Sequence, residues 1–263
     1  MEESAVDCES VSKCDIFDFM AKHVGMTVVH PGGFNATNEL LKELHIDENS
    51  HVIDIACGKG TSAVYTAKKY GCKAAAIDIS PELIKEAKRI ARMHNVSKRV
   101  DFFVGDAMKL PFESESFDAA LSQAMLVLVD DKIRAIQEAR RVLKRGGNAG
   151  WLELSWKNKP PEDFLEHVST ALCSYCMKRA ETYDGWKKTF EKAGVQNVRI
   201  IERTFKNEGV FRMVRDEGIM NTLRIFSRYA GNRDVRKRMR LINATITKFT
   251  EYFGYGIYSF EKT

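Results

Sequence analysis

No stretch of this chain approaches the ~20 consecutive apolar residues that a membrane-spanning helix needs, although 44% of its 263 residues are hydrophobic. No membrane partner is therefore expected. The opening residues Met1-Glu2-Glu3-Ser4 are acidic and polar, unlike the charged start and apolar run of a secretory signal. A cytoplasmic protein is expected. Cysteine is sparse and irregular, at positions 8, 14, 57, 72, 173 and 176, which excludes a disulfide-dense scaffold. Cys173-Ser-Tyr-Cys176 has no second C-x-x-C pair. It lacks the four ligands of a structural zinc site and reads as helix packing; no metal site is expected. Repeats and low-complexity tracts are absent, so one large domain, or one domain with an insertion, accounts for the length.

Charge is unevenly spread. From Arg203 onward there are 13 Lys/Arg against 6 Asp/Glu, and in the remainder 28 against 30. The whole basic excess therefore lies in the C-terminal segment.

Pattern along the chain points to an α/β fold. Asp15 to Val24 reads as a short amphipathic helix, and His30-Pro31-Gly32-Gly33 breaks it. Leu40, Leu41 and Leu44 share one face of a second helix. An alternation then begins. Expected strands are His51–Ile55, Lys73–Ile77, Val100–Val104, Phe117–Ser122 and Asn148–Leu154. Helices are expected at 61–70, at 81–94 with Ser80 as N-cap, and at 132–143, closed by Lys144-Arg145-Gly146-Gly147. A helical stretch should open at Pro160-Pro161. Further on come a helix at 183–193, a sixth strand at 198–202, a mostly helical basic segment to Phe253, and a last strand over 255–260. Strands alternating with helices make a parallel sheet covered on both faces, with ligands in the crevice at the strands' carboxyl ends. The predicted architecture is a doubly wound, Rossmann-like, seven-stranded, mostly parallel sheet with an antiparallel last strand and a helical insertion between strands six and seven. Its expected parts are 1–33, an N-terminal helix and covering loop; 34–203, the cofactor domain; 204–253, the insertion, a cap or a homodimer contact; and 254–263, the last strand.

The chemistry gathers after the first strand, in Asp54-Ile55-Ala56-Cys57-Gly58-Lys59-Gly60. Gly58 and Gly60 allow a tight turn and close approach of backbone N–H groups to a ligand. Read alone this also fits a dinucleotide fingerprint. Asp78, ending the second strand, suits the ribose diol of either NAD or S-adenosylmethionine (SAM). Two more acids separate them. Asp54 lies inside the first strand, a poor neighbour for a pyrophosphate and a good one for an ammonium group. Asp106, in Gly105-Asp106-Ala107, closes the third strand and can accept from an adenine amino group. Three acids at three strand ends favour a cationic ligand and repel a pyrophosphate.

Val52 to Gly60 resembles the first motif of the class I SAM-dependent methyltransferases, and the stretches Asp106–Phe112, Ser116–Asp118 and Arg141–Gly147 resemble the third-to-fifth-strand region of their small-molecule (type 11-like) subgroup. His30-Pro-Gly-Gly33 is similar to a loop that some members fold over the cofactor's methionine end. The resemblance is strong over about residues 28 to 155. It implies SAM as cofactor and a small-molecule acceptor. It also implies that Gly32 and Gly33 cover the cofactor, that Asp54 holds the loop and the ammonium, and that Cys57, Gly58 and Gly60 line the methionine. Asp78 would take the ribose, Ile79 the adenine face, and Gly105, Asp106 and Ala107 the adenine edge. Gln123 would sit near the methyl, with Met125 in reach. His30 is the weak candidate for a catalytic base. Lys59 reads as solvated and Asp118 as structural. His23, Glu153, Trp156, Tyr175, Tyr183, Arg224, Arg228 and Tyr229 are candidate acceptor-side groups. Alternative acceptors are a metalloid held by Cys57, Cys173 and Cys176, or RNA tracked by the basic run Arg228–Arg240; a non-catalytic SAM binder is a further alternative. Nucleic acid is the weaker partner, because no RNA-binding motif accompanies that run.

Overall fold

A computed structural model describes residues 16–158, 160, 168, 172, 174–205 and 209–263. The helix expected to open at Pro160-Pro161 lies largely outside these residues, as do the first dozen positions, Cys173 and the side chain of Tyr175.

The strands are β1 (His51–Ile55), β2 (Lys73–Asp78), β3 (Val100–Val104), β4 (Phe117–Gln123), β5 (Leu143–Trp156), β6 (Glu181–Thr182), β7 (Arg199–Thr204) and β8 (Phe253–Glu261). The helices are α1 (Ile16–Asp18), running into a π-helical turn (Phe19–Val24), then α2 (Gly33–Lys42), α3 (Thr61–Tyr70), α4 (Pro81–Met93), α5 (Lys132–Val142), α6 (Ser174–Arg179), α7 (Tyr183–Lys192), α8 (Gly209–Gly231) and α9 (Arg233–Phe249). The sheet order is β3-β2-β1-β4-β5-β8-β7, with β6 beside β5. β1 to β5 run parallel, and β8 is antiparallel to both β5 and β7. The doubly wound sheet with a reversed last strand is therefore present.

Alternation along the strands divides the core. Ala75 and Ile77 of β2 pack with α5 and α7 on one face of the sheet, whereas Ala74 and Ala76 pack with α3 and α4 on the other. Side chains two apart share a face, so small alanines let α3 and α4 settle close. α2 covers that second face further along, through Leu40, Leu41 and Leu44 against Val52, Leu121 and Leu152. Caps fix the helix starts: Ser80 Oγ accepts the Leu83 N–H at 3.3 Å, and Asp131 accepts that of Arg134 at 2.9 Å.

The structure corrects the reading in two places. β5 begins at Leu143, so Lys144 to Gly147 extend the sheet instead of capping α5. Partners for these residues come from the far end of the chain: the Gly146 N–H donates to the Lys262 carbonyl and the Lys262 N–H to that of Gly147. The sheet also has an eighth strand, the two-residue β6, paired with Ser155 and Trp156, too short to leave a periodic signal. Among the described residues no helix is long and apolar enough to cross a membrane.

Candidate cofactor site

β1 ends in a turn whose geometry is forced. Ala56 adopts φ 59° and Gly60 φ 71°, and the Cys57 N–H returns to the Ile77 carbonyl of β2 at 2.9 Å. Ala124, directly after β4, also sits at φ 57°. Two alanines in the left-handed region at neighbouring strand ends store strain, each worth about 1 kcal/mol or more. Both line a cavity of about 480 Å³ at the carboxyl ends of β1 to β4, a size suited to a small ligand.

Of the expected residues, Asp54, Cys57, Gly58, Asp78, Ile79, Gly105, Asp106, Ala107, Gln123, Met125 and His30 line this cavity. Gly32, Gly33 and Gly60 do not. Gly32 belongs to a separate cleft with Glu39, Arg203 and Tyr255. Gly33 faces Asp216, whose carboxylate a side chain would strike. Gly60 is needed where α3 meets its neighbours: an added Cβ would stand 2.6 Å from the Phe102 ring and 2.8 Å from Ala87.

The three acids differ in environment. Asp78 accepts the Gly58 N–H on one oxygen at 2.8 Å and the Ser80 N–H on the other at 3.0 Å, tying the glycine turn to the end of β2. Asp106 accepts the Met108 N–H at 2.8 Å. Asp54 is only 2% exposed; the Ala63 N–H serves the carboxyl, yet its Oδ2 is buried with no hydrogen-bond partner. Burial first, and then the charge of Asp78, push Asp54 up to about 7. An unpartnered carboxylate oxygen in a cavity wall is costly unless a donor arrives. A ligand ammonium beside it would supply that donor and restore the charge.

At the end of β4, a hydrogen-bonded chain links the pocket residues Ser62, Gln123 and His30 through buried Thr37. The Ser62 hydroxyl donates to Gln123 Oε1 at 2.5 Å, Gln123 Nε2 donates to Thr37 Oγ1 at 3.0 Å, and Thr37 Oγ1 lies 3.2 Å from His30 Nε2. Burial pulls the His30 imidazole down to about 4, so it is neutral near pH 7 and a weak base. A base this weak accepts a proton poorly near pH 7.

Lys59 is the clearest departure from expectation. It is not solvated: its ammonium donates to the carbonyls of Ala21 at 2.9 Å and Met26 at 3.0 Å. Thr61 Oγ1 adds a bond to the Thr27 carbonyl. Glu217 of α8 accepts the Thr27 N–H, the Thr27 hydroxyl and the Val28 N–H from the other side. The segment carrying Phe17, Met26, Thr27 and Val29 is thus fastened across the cavity and lines it. Nothing in the local sequence around Lys59 signals this, because its partners lie more than thirty residues earlier in the chain.

Several acceptor-side candidates fall elsewhere. Glu153 is fully buried outside the cavity lining, and its Oε1 accepts the Met125 and Leu126 N–H groups. Trp156 and Tyr183 are core residues, and His23, Arg224, Arg228 and Tyr229 do not line the cavity. Asp118 is structural as expected, accepting the His51 N–H and pairing with Lys144. The metalloid reading loses its ligands: burial holds the Cys57 thiol well above its ordinary pKa, Cys176 is in a disulfide, and the two belong to different core clusters.

Residues 52–147 match the model of the methyltransferase domain family. With the sheet order, the turn after β1 and the three acids, this match decides the assignment. The chain belongs to the class I SAM-dependent methyltransferases. The methyltransferase is 32% identical to an uncharacterised protein of Haemophilus influenzae over 84% of its own length and 89% of that protein. It is 36% identical to norajmaline N-methyltransferase of Rauvolfia serpentina, over 42% of this chain and 38% of that one, so it spans well under half of that relative. Among solved structures, the MccD protein superposes with a TM-score of 0.70 at 21% identity, covering 89% of the methyltransferase and 99% of MccD. That likeness concerns the fold. SAM is the methyltransferase's cofactor, and the orphaned Asp54 oxygen suits its cationic end.

Proposed function

We propose that this methyltransferase moves the SAM methyl group to a small organic molecule bound under the N-terminal segment. The observation that carries the reading is the make-up of the cavity at the strand ends. Asp54, Asp78 and Asp106, suited to the cofactor, line it together with apolar side chains suited to an organic acceptor, among them Phe17, Met26, Val29, Leu128 and Val129. Norajmaline N-methyltransferase, named for a small acceptor, supports the same class.

SAM, when bound, supplies a methyl group already activated by a positive sulfur. The chain's own residues have to bind, align and exclude water. In this reading Asp54 receives the ammonium, while Cys57 and Gly58 border the methionine. Asp78 meets the ribose hydroxyls with the lone pairs left after its two backbone bonds. Ile79, 72% exposed at the rim, covers one adenine face, and Gly105, Asp106 and Ala107 meet its edge. Gln123, held at both ends of its amide, forms the floor near the methyl, with Met125 beside it. His30 serves as a hydrogen-bond partner for Thr37. The segment 1–33 acts as cover, 34–203 with 254–263 as the cofactor domain, and 204–253 as the cap that grips the cover through Glu217.

Calorimetry with SAM, S-adenosylhomocysteine and NAD tests the cofactor half, with binding of the first two and none of the third expected. Incubation of methyl-labelled SAM with cell extract, followed by size separation, tests the acceptor half. Label in the small-molecule fraction is expected, and label confined to protein or RNA would overturn it.

A further inference from the structure

We infer that the outward face of α8, with the basic α9 packed beside it, is a docking surface for an anionic membrane. α8 kinks at Gly218. After the kink, Thr222 and Ile225 turn inward and are buried, while Ile219, Met220, Leu223 and Phe226 are exposed, at 68%, 68%, 59% and 42%. The spacing 219, 223, 226 places these side chains along one stripe of the helix. Before the kink Phe211 is 90% exposed. A folded helix ordinarily turns such residues towards the core, and a contiguous apolar stripe left in water marks a contact surface.

Charge selects the partner. Arg224 follows Met220 on the flank of the stripe and is exposed, whereas Arg228 reaches back to the Lys22 carbonyl. The two carboxylates of α8 are already committed: Asp216 is buried between Arg212 and Arg215, and Glu217 holds Thr27 and Val28. On α9, Arg233, Lys237 and Arg240 are exposed, and Leu241 is 51% exposed. Its one acid, Asp234, sits in the first turn, where the helix dipole favours it. Among the described residues of α8 and α9, the exposed charges are therefore mostly cations, with Asp234 the one exposed carboxylate. A second copy of the chain would bring the same unbalanced cations to the contact. A nucleic acid would pair the arginines but leave the apolar stripe in water. A bilayer rich in anionic lipid satisfies both halves: apolar side chains enter the boundary between headgroup and acyl chain, and arginines meet lipid phosphates. Such surface contact needs no spanning helix.

The test is flotation of the full chain with phosphatidylcholine vesicles, with and without phosphatidylglycerol. Co-flotation with the anionic vesicles, weakening as salt rises, is expected. Leu223→Asp combined with Phe226→Asp, and separately Arg224→Glu, should each reduce it at least about tenfold while S-adenosylhomocysteine affinity stays unchanged. Arg224→Glu, fully on the surface, keeps the test decisive if the double variant fails to fold. No flotation with anionic vesicles at low salt overturns the proposal, as does flotation indifferent to Arg224→Glu. Self-association lost on Leu223→Asp without any vesicle binding would reassign the face to a second copy, and binding of an RNA homopolymer in place of vesicles would reassign it to nucleic acid.

Discussion

Lys59 donates to the carbonyl oxygen of Met26 at 3.0 Å, joining the turn that follows β1 to a segment more than thirty residues upstream. Burial pulls the ammonium below its ordinary pKa, with Glu217 opposing that shift. A charged donor shared between two backbone carbonyls in a part-buried setting contributes about 1.5–3 kcal/mol. Lys59→Met should therefore loosen the cover and weaken SAM binding at least about tenfold. Calorimetry reads the affinity, and limited proteolysis reads the segment around Ala21. An unchanged affinity would remove the cover from the binding machinery.

Asp54 makes cofactor binding pH-dependent. Its free-state pKa of about 7 means that the carboxyl is largely protonated below neutrality, whereas an ammonium ligand needs the carboxylate. SAM affinity should fall as pH drops through 7 and level off above 8, with proton release on binding near pH 7. Asp54→Asn should flatten this dependence and bind more weakly throughout. Calorimetry in buffers of different ionisation enthalpy measures the proton count directly; zero proton release at pH 6.5 would contradict this account.

Glu153 acts on stability. Burial pushes its carboxyl up to about 8 from an ordinary 4.5, against hydrogen bonds from the Leu126, Met125 and Val127 N–H groups and the charge of Lys132. The folded state therefore keeps a proton that the unfolded chain releases. Its contribution is full below pH 4.5 and is lost as pH rises towards 8, at about 1.4 kcal/mol per pH unit for one group. Glu153→Gln keeps an acceptor for the Met125 and Leu126 N–H groups and should remove this slope. Urea unfolding at a series of pH values gives the comparison, and parallel slopes in the two proteins would sink the idea.

Gly60 combines φ 71° with no room for a Cβ, which would clash with Phe102 and Ala87. Gly60→Ala pays for both backbone strain and overpacking, and should lower stability by about 2–3 kcal/mol. Because Gly60 does not line the cavity, SAM affinity measured well below the unfolding temperature should change much less than in Lys59→Met. A larger effect on affinity than on the urea midpoint would place Gly60 back in the binding surface.

Much of the fold was legible because its signals are local. Apolar runs of strand length, Ser80 before Pro81 and the turn glycines each report on neighbours a few residues away, and β1 to β4 fall close to where they are expected. The start of β5 was not legible. Lys144 to Gly147 carry the marks of a helix end, and what makes them a strand is pairing with residues near Lys262. The cavity wall divided in the same way. Asp54, Asp78 and Asp106 could be named because strand ends follow from strand periodicity. Thr37, Ser62 and Lys59 could not, because each acts through a partner contributed by another element. Gly32 and Gly33 were placed by likeness of a short motif, and α2 carries them away from the cavity towards Asp216 and Tyr255.

The sequence by itself determined the family, the sheet and the side of the sheet that binds SAM, because periodicity and a turn with acids at strand ends are properties of short stretches of chain. Only the tertiary structure decided that Lys59 fastens the cover, that burial makes His30 a weak base, that Asp54 keeps an unpartnered oxygen, and that α8 turns its apolar side outward. Each of these depends on burial or on a partner distant in the chain, and desolvation and long-range contact have no local signature.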